Sequence, residues 1–221
     1  DYYVLQCRKG QRLSVEVEGM RLGRTLFDPY VAILNSDRFE LASSDDTALL
    51  FRDCAASIII PEDGPYTVLV RESSYQGTGA CQYRLHVGEF PRPTAIYPPG
   101  AQPGEVREFT FVGDPTGNLV SKIEMPDATA NYRAFIKNGG WHSPSGLPVR
   151  ISSLPFHNEV EPNEGGKQAS PAEAPSVPVA FHGILSKKED KDWFRFAGKK
   201  GQKLRARVFA RQLRSPLDPY I

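Results

Sequence analysis

The sequence predicts an all-β chain built from tandem antiparallel β-sandwiches. Three observations point there: short stretches in which apolar and polar residues alternate, turn residues between them at close intervals, and a near-repeat of the opening residues 191 positions later. Glycine and proline together make up 38 of 221 residues and are spread along the chain, which favours many turns and leaves little room for long helices. The longest apolar runs are of the Val31-Ala-Ile-Leu34 kind, far short of the roughly 18–20 residues a membrane-spanning helix needs. A net charge of +1 gives no general attraction to nucleic acid, and neither a recognition helix nor an RNA-binding motif is present.

Taken in order, Leu13, Val15 and Val17 alternate with Ser14 and Glu16, as in a strand buried on one face. Tyr30–Leu34 is an apolar strand stopped by Asn35-Ser36-Asp37. Ser57–Ile60, the turn Pro61-Glu-Asp-Gly64 and Tyr66–Val70 read as a hairpin. Gly77-Thr-Gly79 breaks the chain again, and Tyr83–Val87 closes a first sandwich over residues 1–90. Phe90-Pro-Arg-Pro93 should be a stiff, extended connector. A second block, 91–156, holds strand patterns at Val106–Val112, Ala134–Ile136 and Pro148–Ser152, enough for a small sandwich. In the third, 157–221, residues 159–180 form a polar, Pro-, Ala- and Glu-rich lead-in expected to be extended or poorly ordered. Strands are then expected at Phe181–Leu185, Asp192–Phe196 and Leu204–Val208.

The repeat is the most informative feature. Asp1, Lys9, Gly10, Gln11 and Leu13 recur as Asp192, Lys200, Gly201, Gln202 and Leu204, with two aromatic residues after each Asp. Val17 and Leu22 match Val208 and Leu213, and Asp28-Pro-Tyr30 matches Asp218-Pro-Tyr220 after a one-residue slip. Two copies of one module therefore flank a different one. The first copy lacks a lead-in and the second stops where the first continues, so we expect a window on a longer protein; head-to-tail completion by strand exchange between chains is the rarer alternative.

These residues resemble the bacterial pre-peptidase C-terminal (PPC) domain, a jelly-roll-like β-sandwich similar to bacterial collagen-binding domains. The resemblance is carried by Glu159-Val-Glu-Pro-Asn163, Phe181-His-Gly-Ile-Leu185, Asp190-Lys-Asp-Trp-Phe194, Lys200-Gly-Gln202 and Ser215-Pro-Leu-Asp-Pro219. In the first copy it is carried by Asp1-Tyr-Tyr3, Lys9-Gly-Gln11, Asp28-Pro29, Pro61–Tyr66 and Tyr83-Arg-Leu85. The middle block, with Tyr97-Pro-Pro-Gly-Ala-Gln-Pro-Gly104, resembles the Ig-like modules found between such domains in large planctomycete-type surface proteins. The resemblance implies a PPC-like sandwich lacking its N-terminal strand region, an Ig-like sandwich, and the N-terminal half of a second PPC-like sandwich. It also implies export to the periplasm, cell surface or medium, and a non-catalytic role in scaffolding or assembly through a protein partner or self-association. The alternative is a carbohydrate-binding accessory segment of a secreted hydrolase or peptidase.

Calcium is the one cofactor the residues suggest. Glu159, Glu161 and Asn163 alternate on one side of an extended segment, and Asp190 and Asp192 form a second alternating pair, so two adjoining strands could offer a hard cation several oxygens. Similar positions bind calcium in the related collagen-binding domains. The plainer account makes Glu159 and Glu161 a solvated linker and Asn163 a turn former. Catalysis has no support: Gly-x-Ser-x-Gly, His-Glu-x-x-His and phosphate-loop motifs are missing, and His142 and Ser143 are strand neighbours on opposite faces. His86, His157 and His182 read as structural. Between Lys187 and Arg214 eleven basic residues face three acidic ones, a solubilising strand face or a dock for an acidic partner, with Phe209 placed to pack on an Arg guanidinium. Tyr75, Trp141 and Tyr97 lie near turns and are the candidates for sugar stacking. Cys7, Cys54 and Cys81 allow either one disulfide or three free thiols.

Overall fold

The structure is a computed structural model describing all residues except 24–26, 48–49, 51, 214 and 216. Arg214 and Pro216, which fall within the basic stretch and the Ser215–Pro219 motif, lie outside the described residues. The chain is all-β; among the described residues there are two short 3-10 turns and no helix long and apolar enough to cross a membrane.

Residues 1–90 fold into strands β1 (Tyr2–Cys7), β2 (Arg12–Glu18), β3 (Pro29–Leu34), β4 (Glu40–Ser44), β5 (Cys54–Ile59), β6 (Gly64–Glu72) and β7 (Arg84–Gly88). They form a four-stranded sheet, β1-β6-β3-β4, and a three-stranded sheet, β5-β2-β7, all antiparallel. The alternating residues Leu13, Val15, Val17, Val31, Ile33, Val68 and Val70 pack between the sheets, as face-to-face packing requires. All three cysteines are free.

Two local expectations are corrected. The segment 57–70 is not a hairpin. Ile60 exchanges backbone bonds with the turn after β1: its amide donates to the Gln11 carbonyl and its carbonyl accepts from Gly10, both at 2.8 Å. This extends the β2–β5 ladder, after which the chain crosses to the other sheet as β6. The polar face of β2 is not solvated either, because Ser14 and Glu16 are fully buried beneath the next module.

That module comprises β8 (Ala95–Tyr97), β9 (Gly100–Ala101), β10 (Val106–Val112), β11 (Leu119–Glu124), β12 (Asn131–Ala134), β13 (Lys137–Asn138), β14 (Trp141–His142) and β15 (Leu147–Ile151). Sheets β11-β10-β8 and β12-β15-β9 enclose Phe109, Phe111, Ile136, Leu147 and Val149, and β9 runs parallel to β15. Gly139 and Gly140, both at positive φ, make the two-residue turn between β13 and β14. That turn sets the Trp141 ring against Gly88 of the first module.

The joint between these modules is ionic and buried. Glu16 accepts hydrogen bonds from Ser145 Oγ and from Arg21 Nη2 (2.8 Å), while Arg92 Nε lies 3.0 Å from its other oxygen as an ion pair without hydrogen-bond alignment. Arg21 also reaches Asp53 (2.5 Å) and Ser145 Oγ (2.6 Å). Arg12 pairs with Asp114 at 3.0 Å and donates twice to the Glu89 carbonyl. Burial pushes the Glu16 carboxyl up, but the Arg92 charge and the bonds from Ser145 and Arg21 outweigh it and hold the group below the ordinary carboxylate range. The connector 90–93 is buried within this joint instead of bridging solvent.

Beyond residue 155 regular structure thins to β16 (Phe156–Asn158) and β17 (Ala180–His182), a parallel pair. The strands expected at 192–196 and 204–208 do not form; only isolated parallel bridges, Ser170 to Phe194 and Ser176 to Ala197, mark the first of them. Yet the turns of the repeat are present twice. Gly10 and Gly201 sit at φ 80° and 79°, and the Gln11 and Gln202 amides each donate at 3.0 Å to the carbonyl three residues earlier. The side chains of Gln11 and Gln202 accept from Arg8 and Lys199 amides at 2.9 Å. The 3-10 turn Met20–Leu22 recurs 191 residues on as Arg211–Leu213.

Candidate metal centre

The lead-in is more firmly anchored than its composition suggests. Asn163, Ala169 and Ser170 are buried, and Arg195 Nη1 donates to the Ala172 carbonyl at 2.7 Å. β16 and β17 bring its start against the middle module. His182 is buried, stacks on Phe156 with centroids 5.0 Å apart, and presents its carbonyl to the Tyr97 hydroxyl (3.4 Å) and the Glu159 amide (2.8 Å). Burial, reinforced by the Arg107 charge, pulls the His182 imidazole down to about 4, so it is neutral at pH 7.

Just past β16, carboxylate oxygens of Glu159, Glu161 and Asp192 lie within 4.8 Å of one another. Glu159 Oε1 accepts from the Ile184 amide (2.7 Å), Glu161 Oε2 from the Asn163 amide (2.8 Å), and Asn163 Nδ2 points to Glu159 Oε2 (3.5 Å). Asn163 is 0% exposed, and its Oδ1, like Asp192 Oδ1, is buried without a hydrogen-bond partner among the described residues. Two orphaned buried acceptors beside crowded carboxylates have the donor chemistry a hard cation satisfies, oxygen only and predominantly anionic. Burial pushes the Glu159 carboxyl up to about 7, and the Asp192 charge adds to it; Asp192 is likewise raised, again chiefly by burial.

Four of the five residues singled out from sequence therefore converge: Glu159, Glu161, Asn163 and Asp192. Asp190 does not join them. Its oxygens accept from Ser186 N (2.6 Å), Ser186 Oγ (3.0 Å) and Lys191 N (3.1 Å), closing the 186–191 turn. Sequence reasoning missed Gly183. A Cβ there would collide with Asp192 Oδ2 and come within 2.9 Å of Glu159 Oε2, so a side chain at 183 would have to push both carboxylates aside. A glycine inside a strand pattern is the signal for such an approach. It also ends β17 early: the next amide, Ile184, is taken by Glu159 instead of a neighbouring strand.

The other candidates disperse. Tyr97 and Trp141 make internal contacts, leaving Tyr75, 81% exposed, over the Arg71 guanidinium at 4.0 Å. Phe209 lies under Arg150 (4.1 Å) and Arg207 (4.6 Å), the packing expected from its place in the basic stretch. Compared with known proteins, the chain matches no family model and no curated protein sequence.

Proposed function

We propose that this chain is a non-catalytic modular segment of an exported protein, holding β-sandwich modules in fixed relation, and that its third segment binds calcium. The observation that carries the spacing role is the buried joint: Glu16 is fully buried, and its carboxylate is shared by Arg21 of its own module and by Arg92 and Ser145 beyond it. Such a network tolerates no sliding, because displacing either partner strands a buried charge. Solution scattering should therefore fit one rigid arrangement of residues 1–155, and an ensemble of freely hinged modules would defeat the spacing role. The PPC-like motifs support export and a contact or assembly role.

For calcium, the support is the pair of orphaned buried oxygens, Asn163 Oδ1 and Asp192 Oδ1, beside two glutamates. Glu159, Glu161 and Asp192 would supply carboxylate oxygens and Asn163 its amide oxygen, with water and main-chain carbonyls completing six to eight donors. Titration calorimetry on the whole chain should detect calcium uptake that Glu159→Gln abolishes; heat-silent titrations with no thermal stabilisation would retire the site. The sugar-binding alternative draws less support, since Tyr97 and Trp141 are engaged in internal contacts.

A further inference from the structure

Strand β1 borders its sheet, and its backbone separates cleanly into two sides. Asp1 and Val70 exchange both backbone bonds, at 2.7 and 2.9 Å, which makes them a hydrogen-bonded pair of the antiparallel ladder. By alternation, Tyr3, Leu5 and Cys7 turn their N–H and C=O groups toward β6, while Tyr2, Val4 and Gln6 turn theirs outward. Among the described residues nothing bonds those outward groups. The strand also lacks the usual protection of an edge: Tyr2–Cys7 contains no charge and no proline, and Tyr2 and Val4 are 70% and 67% exposed.

The second copy displays the same edge covered. Positions 193, 195 and 197 correspond to 2, 4 and 6. The Trp193 amide donates to the Asn163 carbonyl (3.1 Å), and the Trp193 carbonyl accepts from the Ser170 amide (2.8 Å). The Arg195 amide donates to Ser170 (3.0 Å) and the Ala197 amide to Pro175 (2.8 Å). All four groups are held by the lead-in, which bridges parallel to the strand. Their counterparts in the first copy, Tyr2 N–H and C=O, Val4 N–H and Gln6 N–H, are the bare ones.

We propose that the outer edge of β1 is a docking site for an extended polypeptide segment with the chemistry of residues 163–176, bound parallel to β1. The segment accepts from the Tyr2, Val4 and Gln6 amides and donates one amide to the Tyr2 carbonyl, a case of strand addition. Val4 stands where Arg195 grips the lead-in carbonyls, so in the first copy the backbone ladder alone carries the hold. The proposal rests on this ladder and not on the metal site.

The test is a titration of the whole ¹⁵N-labelled chain with a synthetic peptide of residues 157–178, with calcium and again with chelator. Binding should slow hydrogen exchange at the Tyr2, Val4 and Gln6 amides and leave Tyr3 and Leu5, already in the ladder, unchanged. Val4→Pro removes an N–H that β6 does not use and should weaken binding about tenfold or more. Should that variant misfold, a peptide N-methylated at the Ser170 position makes the same cut from the other side and should lose affinity likewise. Unchanged exchange at all three amides at about millimolar peptide, or equal binding by a scrambled peptide, overturns the proposal. Loss of calcium uptake with peptide binding intact would count against the metal reading alone.

Discussion

The two copies of the repeated motif share their turns and differ in their strands. In both, a lysine precedes a left-handed glycine, a glutamine closes the turn through backbone and side chain, and a 3-10 turn follows nine residues beyond that glutamine. Only in the first do the flanking residues become β1 and β2. Their partners, β5, β6 and β7, all come from residues 54–88, and among the described residues no such strands pair with the second copy. Turn geometry is thus written within a few residues, whereas a strand exists only when a distant segment takes up its backbone groups. The second copy is held on one edge, by its own lead-in, and its Leu204 is 52% exposed where Leu13 is 3%.

Equivalent substitutions in the two copies should separate these contributions. The largest difference is expected at Glu16 and its counterpart Arg207. Glu16→Ala leaves the buried Arg92 without its carboxylate partner, while Arg21 keeps Asp53, and should cost about 3–5 kcal/mol, read by chemical denaturation. Arg207→Ala removes an exposed cation–π contact worth below about 1 kcal/mol. Next comes Leu13→Ala, which empties a core position at about 2–5 kcal/mol, against about 0.5 kcal/mol or less for Leu204→Ala. Comparable losses within either pair would mean that the second copy is packed as tightly as the first. The acid response of the joint follows from Glu16: its depressed carboxyl stabilises the fold above the ordinary value of 4.5 and loses that contribution as pH falls.

Alternation made the all-β architecture legible, because period-2 patterning is local and both cores draw on it. What escaped was the choice of partner. Residues 57–70 have the strand–turn–strand pattern of a hairpin, but Ile60 is claimed by Gln11 and Gly10, a pairing no window around Asp63-Gly64 contains. Ser14 and Glu16 look like a solvated face because a polar residue reads the same whether water or Arg92 lies opposite. At the candidate site, the spacing of Glu159, Glu161 and Asn163 was readable along one extended segment. Asp190 misled: its alternation with Asp192 presumes a straight strand, whereas the chain turns at 186–191 and spends that carboxylate on Ser186.

Calcium should sharpen the comparison from the second copy's side. At about 100 times its dissociation constant it stabilises the bound state by about 2.7 kcal/mol, an effect Glu159→Gln should remove without touching residues 1–155. The pH dependence has a definite sign. Glu159 is raised from 4.5 to about 7, so in metal-free protein its contribution is complete below 4.5 and lost as pH rises through about 7. A cation competes with that proton, so calcium affinity should climb over the same interval and level off above it. His182, lowered from 6.5 to about 4, acts oppositely: its contribution is present above 6.5 and lost as pH falls through about 4. Denaturation across pH, with calcium and with chelator, checks both slopes.

The smallest effect tests the shared element itself. Gly10 and Gly201 have the same φ, and a Cβ at either would meet nothing within 4 Å, so alanine there adds conformational strain and no clash. That strain is about 1–2 kcal/mol for a left-handed residue, and it should be the same in both copies because the two turns are the same. How it is read must differ. Gly10→Ala sits between laddered strands and should lower global stability by that amount. Gly201→Ala should leave global unfolding unchanged and instead speed exchange at the Gln202 amide by about 5–30-fold, the same free energy expressed as local opening. If Gly201→Ala leaves that amide unaltered, the second turn does not hold by itself and depends on strands, which would undo the distinction between turn and ladder on which the comparison rests.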